Sequence, residues 1–405
     1  MGRPARLRRA RALTVLGGAS AAAPGGPGPR SADSFRVLVG AEAFLNALAA
    51  DVALATASVH VQFSTFEGDD SGEAFGRLLI EAADRGLDVR LTVDHYSDVV
   101  LSDFHPLLVH RLRAIRRERD RTHALFDRLR AHGVGVRRTA PPGALGRFLL
   151  YRDHKKLVIL DDRVAYVGGI NVSDHNFLWH DLMVRVEGPV VAALAADYRS
   201  SWSGPTVALP VAAPSGTSVV NHDARRESIL AELLRMIDGA RETLVIESPY
   251  LLGDRLERAI VGAADRGVRV TLIVPFRANR GIVRLWRRQT LGRFQHPNIA
   301  LRGYRDTGGM LHAKFAIVDG RRATFGSFNM FELESRTQKE LNVFTDDPAL
   351  IRQLEAVVAH DLPSTVPMVA PAWTFGRFTY TACYRFFDAW TSRLVRDPEW
   401  VASYC

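Results

Sequence analysis

The chain has 405 residues, 47% of them hydrophobic and 24% charged, with a formal net charge of +9. That length buries a large core, and the composition is ordinary for a soluble globular protein. Two cysteines, Cys383 and Cys405, exclude a disulfide framework and a cysteine zinc site; the positive charge implies a polyanionic partner, nucleic acid or an anionic membrane surface, unless it reflects a general arginine excess.

Residues 1–34 form a tail rich in Arg, Ala, Gly and Pro. Arg3, Arg6, Arg8, Arg9 and Arg11 precede a weak apolar stretch containing Ala19-Ser20-Ala21. A signal peptide with an A-x-A cleavage site is one reading, and a disordered basic tail is the preferred one. From Phe35 the pattern becomes α/β. Helices are expected over 41–55 and 72–85, and strands over 58–66 and 87–94, the last apolar at most positions as buried strands are. Residues 96–151 add a long helix with Leu108, Leu112, Ile115, Thr122, Phe126 and Leu129 on one face. Its other face is basic, with ten Arg against three acids over 111–138. Two readings stand for that face: a solvated surface, or a cationic rim that attracts phosphates.

A Pro-, Ser- and Gly-containing linker is expected over 203–217. The pattern then repeats, with helices over 226–240 and 254–266 and strands over 243–248 and 268–274. Strands alternating with helices predict mixed or largely parallel sheets covered by helices. The expected domains are one lobe over 35–202, a second over 218–362, and a Pro-rich then aromatic tail over 363–405. That tail carries Trp373, Phe375, Phe378, Tyr380, Tyr384, Phe386, Phe387 and Trp390 among Arg377, Arg385 and Arg393. Such a mixture suits an interfacial membrane anchor, or else a helix covering a sheet edge. No run of about 18 apolar residues is present, so membrane attachment is expected to be peripheral.

The lobes repeat in detail. Ala82-Ala83-Asp84-Arg85-Gly86 recurs as Ala263-Ala264-Asp265-Arg266-Gly267. His154, Lys156 and Asp161 stand in the spacing H-x-K-x4-D, followed by Gly168, Gly169 and Asn171; His312, Lys314 and Asp319 repeat that spacing, followed by Gly326, Ser327 and Asn329. Two copies predict two similar lobes that bring the motifs face to face, since a solenoid needs three or more units.

On these motifs, with the Ile246–Leu251 segment IESPYL and Trp179-His180-Asp181, the chain resembles the phospholipase D superfamily, and within it the bacterial cardiolipin synthases. The resemblance runs over roughly 35–363. It implies a two-lobed α/β fold with one active site at the interface, no cofactor and no metal. It also implies a phosphatidyltransferase that works through a phosphohistidine, moving a phosphatidyl group onto phosphatidylglycerol or a similar alcohol. Hydrolysis of phospholipid or nucleic acid by the same chemistry is the alternative, and a non-catalytic binding module is disfavoured by complete motifs in both halves. The expected partners are anionic phospholipid and a membrane surface, with nucleic acid less favoured, for a monomer at the cytoplasmic face of the membrane.

The residue types fit that chemistry. Lys156 and Lys314 supply cationic donors to non-bridging phosphate oxygens, and Asn171, Asn329 and Ser327 add neutral hydrogen bonds. Two histidines titrate near neutrality, so one can attack while the other holds a proton. By analogy with the superfamily His154 is the nucleophile and His312 the acid and base. Asp161 and Asp319 complete the motif, although their expected place at strand ends suits a structural role. The acids that orient the imidazoles are Asp181, in the family's W-x-D, and Glu340, in its E-x-N. Retention of Asp161 and Asp319 argues against the tyrosyl-DNA phosphodiesterase branch, which resembles H-x-K-x4-N. Two departures bear on substrate recognition: Gly169 stands where many members carry Ser, and Met330–Arg336 replaces the family's L-D-x-R-S.

Overall fold

The computed structural model describes residues 32–98, 112–141, 151–203, 211–212, 216–223, 226–279, 291–305 and 309–369, together with 382, 385, 386 and 389. The first lobe comprises β1 (Ser34–Val39), α1 (Gly40–Leu54), β2 (Ser58–Phe63), α2 (Asp70–Asp84), β3 (Asp88–Asp94), α3 (Leu112–Ala131), β4 (Gly135–Thr139), β5 (Arg152–Asp153), β6 (Leu157–Leu160), β7 (Val164–Gly168), α4 (Asp174–Phe177), β8 (Leu182–Glu187) and α5 (Val190–Ser203). The second comprises β9 (Val211–Ala212), β10 (Ser218–His222), α6 (Ser228–Asp238), β11 (Thr243–Glu247), α7 (Asp254–Asp265), β12 (Arg269–Pro275), β13 (Ile299–Tyr304), β14 (Phe315–Val318), β15 (Arg322–Gly326), β16 (Gln338–Thr345), α8 (Pro348–Asp361) and β17 (Thr365–Pro367).

Local chemistry explains the element ends. Helix α2 starts where the Asp69 side chain accepts the Gly72 amide at 3.0 Å, and buries Phe75, Leu79 and Ala82 along one stripe. It stops at Gly86, whose φ of +88° suits a residue without a Cβ. Helix α8 starts with Asp347 accepting the Leu350 amide at 2.7 Å, with Pro348 in its first turn.

The two sheets share one strand order. The first runs β1-β8-β7-β6-β2-β3-β4, and the second contains β10-β16-β15-β14-β11-β12-β13, extended by β17 beyond β13 and β9 beyond β10. Along each of these orders three strands run parallel (β2, β3, β4; β11, β12, β13) and the other neighbours pair antiparallel. The expected mixed sheets in two similar lobes are therefore present. Two boundaries move. The segment expected as linker contributes β9, which pairs with β10, and the second sheet continues past residue 362 through β17, which pairs with β13.

The sheets face each other across one shared core. Val190, Leu194 and Tyr198 of α5 and Leu350, Ile351 and Leu354 of α8 pack there with strands from both lobes. Each of these helices is tied to the other lobe. Gln353 of α8 donates to the Phe35 carbonyl and accepts the Val37 amide, both at 2.9 Å. Asp197 of α5 accepts Asn221 of β10 at 2.7 Å and binds Lys155 at 2.8 Å. Helices α1, α2 and α3 cover the outer face of the first sheet, and α6 and α7 that of the second.

The inserted helix α3 buries Thr122, Phe126 and Leu129 as its pattern predicts, while Arg113, Arg116, Arg117 and Arg121 stay exposed. Leu108 lies outside the described residues, as do the tail 1–31 and most of the aromatic segment 373–405. Among the described residues no helix is long and apolar enough to cross a membrane.

Candidate active site

Each motif lies on the approach to a short buried strand, β6 or β14, and the lysine and the loop after the following strand face the lobe boundary. The lysines fold back on their own motifs: Lys156 Nζ donates to the His154 carbonyl at 2.6 Å, and Lys314 Nζ to the His312 carbonyl. Both lysines are buried, at 0% and 1% exposure.

The imidazoles are oriented by carboxylates from the opposite lobe. His154 Nδ1 lies 2.9 Å from Glu340 Oε1 on β16. His312 Nδ1 lies 2.6 Å from Asp181 Oδ2, just before β8. The backbone reinforces each exchange. The His154 amide donates to the Lys339 carbonyl at 2.9 Å, and the His312 amide to the His180 carbonyl at 2.7 Å. In both cases the accepting residue immediately precedes the orienting acid. Strand β5 extends this contact by pairing parallel with the start of β16. Neither half of the site is complete on one lobe.

The electrostatics of the halves differ. Burial pushes Glu340 up to about 7, against the pull of Lys156. Asp181 goes below the usual carboxylate range: burial opposes ionisation, but the Lys314 ammonium and His312 outweigh it. Burial and Lys314 together hold His312 down at about 3, outweighing Asp181. Burial lowers Lys156 to about 7 and lowers Lys314 in the same direction. Lys314 acts on Lys156, and Lys156 on His312, so the motifs sit within one electrostatic field. Such a site favours an incoming anion, whose charge shifts both lysines back toward their ordinary values.

The supporting residues are also placed. Ser327 Oγ donates to Glu340 Oε2 and accepts the Leu341 amide at 3.0 Å. Asn329 Nδ2 donates to Glu334 Oε2 at 2.7 Å, and Asn171 Oδ1 accepts the Thr65 amide at 3.2 Å. Gly169 has a stricter reason than a missing hydroxyl: a Cβ there would lie 2.3 Å from Asp181 Oδ1. The glycine makes room for the acid that serves His312.

The motif aspartates Asp161 and Asp319 bind backbone amides. Asp161 accepts the amides of Thr56, Ala57 and Ser58 at 2.9, 2.8 and 2.8 Å. Asp319 accepts those of Arg241, Glu242 and Thr243 at 3.0, 2.7 and 2.8 Å. Both occupy left-handed turn positions with φ of +53°. These bonds hold each carboxyl below its usual range against the cost of burial. The motif aspartates hold the start of β2 or β11, the strand that pairs with β6 or β14, at the opposite end of β6 or β14 from the motif histidine and lysine.

Three residues not singled out as site residues from the sequence line the site. The Trp179 ring lies 4.5 Å from that of His312, and Tyr250 lies 6.4 Å from it. Glu334 acts on both Lys156 and Lys314. Trp179 and Tyr250 belong to segments already conspicuous in the sequence, WHD and IESPYL; nothing in the spacing marked Glu334.

Two lobes of identical strand order, exchanging acid–histidine pairs across one boundary, are the architecture of a two-motif phospholipase D-type enzyme. A family model described as "Cardiolipin synthase, PLD-like domain" matches residues 48–202 and 233–362, and the chain belongs to that family. It is similar to cardiolipin synthase A of Erwinia tasmaniensis, at 25% identity over 88% of this chain and 74% of that one. It is 26% identical to a probable cardiolipin synthase of Bacillus subtilis over 75% of this chain, spanning 61% of that protein. Among solved structures, phosphatidylserine synthase of Haemophilus influenzae superposes with a TM-score of 0.63 at 15% identity, covering 90% of this chain and 94% of that one, a likeness of fold.

Proposed function

We propose that the protein is a phosphatidyltransferase of the cardiolipin synthase type, joining a phosphatidyl group to the alcohol of phosphatidylglycerol. The observation that carries this reading is the exchange of acids between lobes, His154 with Glu340 and His312 with Asp181, in a chain of this family. In the first step His154 attacks phosphorus, the bond to the leaving alcohol breaks, and His312 gives that alcohol its proton. In the second, His312 takes the proton of the incoming alcohol, whose oxygen attacks phosphorus as the bond to His154 breaks. Lys156 and Lys314 neutralise the non-bridging oxygens throughout, so the positive charge comes from the chain itself.

His154 is the attacking group in this scheme because its side chain is the more accessible, 15% exposed against 5% for His312. Burial and Lys314 leave His312 neutral before substrate arrives. The anionic phosphate offsets Lys314 and Lys156, and His312 takes up its proton on binding. Trapping of labelled phosphoenzyme by denaturation at mildly alkaline pH, where a phosphohistidine survives, checks the order: label should persist in the His312→Asn variant and vanish in His154→Asn. The opposite pattern reverses the roles.

The protein acts as a monomer at the cytoplasmic face of the membrane, held peripherally by the aromatic and arginine-bearing segment 373–405. Leu178, 59% exposed, precedes Trp179, whose ring lies 4.5 Å from that of His312, and offers further apolar surface to a lipid. Incubation with phosphatidylglycerol vesicles and mass spectrometry of the products tests the assignment. A lipid with two phosphatidyl groups on one glycerol is expected. Phosphatidic acid alone would make the enzyme a hydrolase, and cleavage of single-stranded DNA with the vesicles unchanged would make it a nuclease. Vesicle binding should persist at high salt and disappear on deletion of 373–405, whereas binding carried by phosphate contacts falls steeply with salt.

A further inference from the structure

Behind Asp181, three side chains of ligand type converge that no step above uses. His180 precedes Asp181, Glu247 ends β11 and Asp361 ends α8. One donor atom from each lies within 4.8 Å of the other two. His180 Nε2 lies 2.7 Å from Asp361 Oδ2, and its ring stacks on Tyr304 at 5.0 Å. Asp361 has a second neighbour in His360 Nδ1 at 3.0 Å. Glu247 has no such help. It is wholly buried, at 0% exposure; no donor group reaches its carboxylate oxygens among the described residues, and the group within hydrogen-bonding reach is a second carboxyl, that of Asp361. Burial and the facing carboxylates of Asp361 and Asp181 hold its pKa well above the ordinary range. Two buried carboxylates side by side need a proton or a cation between them.

We propose that His180, Glu247 and Asp361 bind a divalent cation of the zinc class. Carboxylates alone would suit magnesium or calcium, but an imidazole in the set favours a first-row divalent ion. One nitrogen and two carboxylates leave the fourth position of a tetrahedral ion open. Ligation replaces the His180–Asp361 hydrogen bond and separates those atoms to about 3.3 Å, the spacing set by metal–ligand distances near 2 Å. The ion offsets both carboxylates and ties β11 and α8 of the second lobe to the first-lobe loop that carries Asp181. The His180 carbonyl also accepts the amides of His312 and Ala313, at 2.7 and 3.2 Å. The ion is therefore a positioning element for the His312 half, set behind Asp181 and not at the phosphate.

The test uses the full chain without a histidine tag, stripped with a chelator and titrated calorimetrically with Zn2+. Metal content is read by plasma mass spectrometry and the ligand field by visible absorption with Co2+. Wild type should bind one ion per chain and melt at a higher temperature with zinc. His154→Asn should do the same, which removes the catalytic imidazole as the source of binding. Glu247→Gln, its fold verified by circular dichroism, should lose roughly 100-fold or more in affinity, together with the thermal shift and the Co2+ spectrum. If that variant fails to fold, Asp361→Asn carries the same comparison. Absence of stoichiometric binding to wild type, or equal binding to both acid variants, overturns the site. Zinc-free Glu247→Gln melting above a wild type that binds no zinc would assign the pair to a shared proton instead.

Discussion

The two halves of the active site share a backbone and differ in their electrostatics. Each imidazole takes its backbone acceptor and its acid from consecutive residues of the other lobe, Lys339-Glu340 for His154 and His180-Asp181 for His312. Yet Glu340 is shared with a serine hydroxyl and pushed up to about 7 by burial, whereas Asp181 faces a glycine, touches Lys314 at 3.4 Å and is held ionised. The difference shows how a duplicated motif acquires two jobs without changing its signature residues. The groups that touch each acid, Ser327 on Glu340 and Lys314 on Asp181, set its charge, and the acid sets what its imidazole can do.

The largest break in the comparison comes from the imidazoles themselves. His154→Asn and His312→Asn should each lower kcat by about 10^4 or more, and the double variant should fall hardly further, because the residues act as a unit. Steady-state lipid turnover measures this.

The acids come next, and they should be unequal. Asp181→Asn removes the partner of both His312 and Lys314, so a loss of roughly 10^3-fold to 10^4-fold in kcat is expected, as for the acid of other acid–histidine pairs. Glu340→Gln replaces a group already close to half-neutral at neutral pH, and should cost about tenfold less. It should also erase any inflection near pH 7 in the pH–rate profile that belongs to Glu340. Equal losses with unchanged profiles would remove the asymmetry.

Gly169→Ser should cost more than Ser327→Gly, although each merely makes one half resemble the other. The added Cβ displaces Asp181, and misplacement on the scale of 1 Å costs on the order of 100-fold. Loss of one hydrogen bond to Glu340 should cost roughly tenfold or less in kcat. Crystal structures of the two variants would locate the moved acid.

The smallest effect on turnover is expected from the motif aspartates, where activity and stability should part. Asp161→Ala or Asp319→Ala leaves backbone amides without acceptors and should destabilise by about 1–3 kcal/mol, with kcat in the fully folded protein nearly unchanged. Both folded-state carboxyls lie below their usual values. Their stabilisation is therefore present above the unfolded carboxylate pKa near 4 and is lost as pH falls through the lower folded value. Melting temperatures from pH 7 to pH 3 should converge for wild type and variant.

Much of this was legible along the chain. The repeated pentamer, the paired motifs and the alternating elements predicted two similar lobes with mixed sheets, because hydrophobic period and turn chemistry are local properties. The apolar stripe of α3 was readable at Thr122, Phe126 and Leu129 for the same reason. The ends of the second lobe were not: β9 and β17 are strands of two and three residues, set by the neighbours they pair with. Asp161 and Asp319 stand in the signature beside His and Lys, and their expected place at strand ends suited a structural role without naming what they bind. The turn after β6 and β14 directs their carboxylates to Thr56–Ser58 and Arg241–Thr243.

The sequence by itself determined the residue types, the duplication and the chemistry they permit, since a phosphate site needs cations, hydrogen-bond donors and titratable nitrogen whatever the fold. Only the tertiary structure decided which acid serves which histidine, because the partners lie 186 and 131 residues apart and on opposite lobes. It likewise decided that His180, Glu247 and Asp361 meet, which no spacing along the chain signals. Pairing across an interface depends on how two sheets dock through α5 and α8, and docking follows from the shape of a shared core. Burial, and with it the divergent charge of Glu340 and Asp181, exists only once that core has closed.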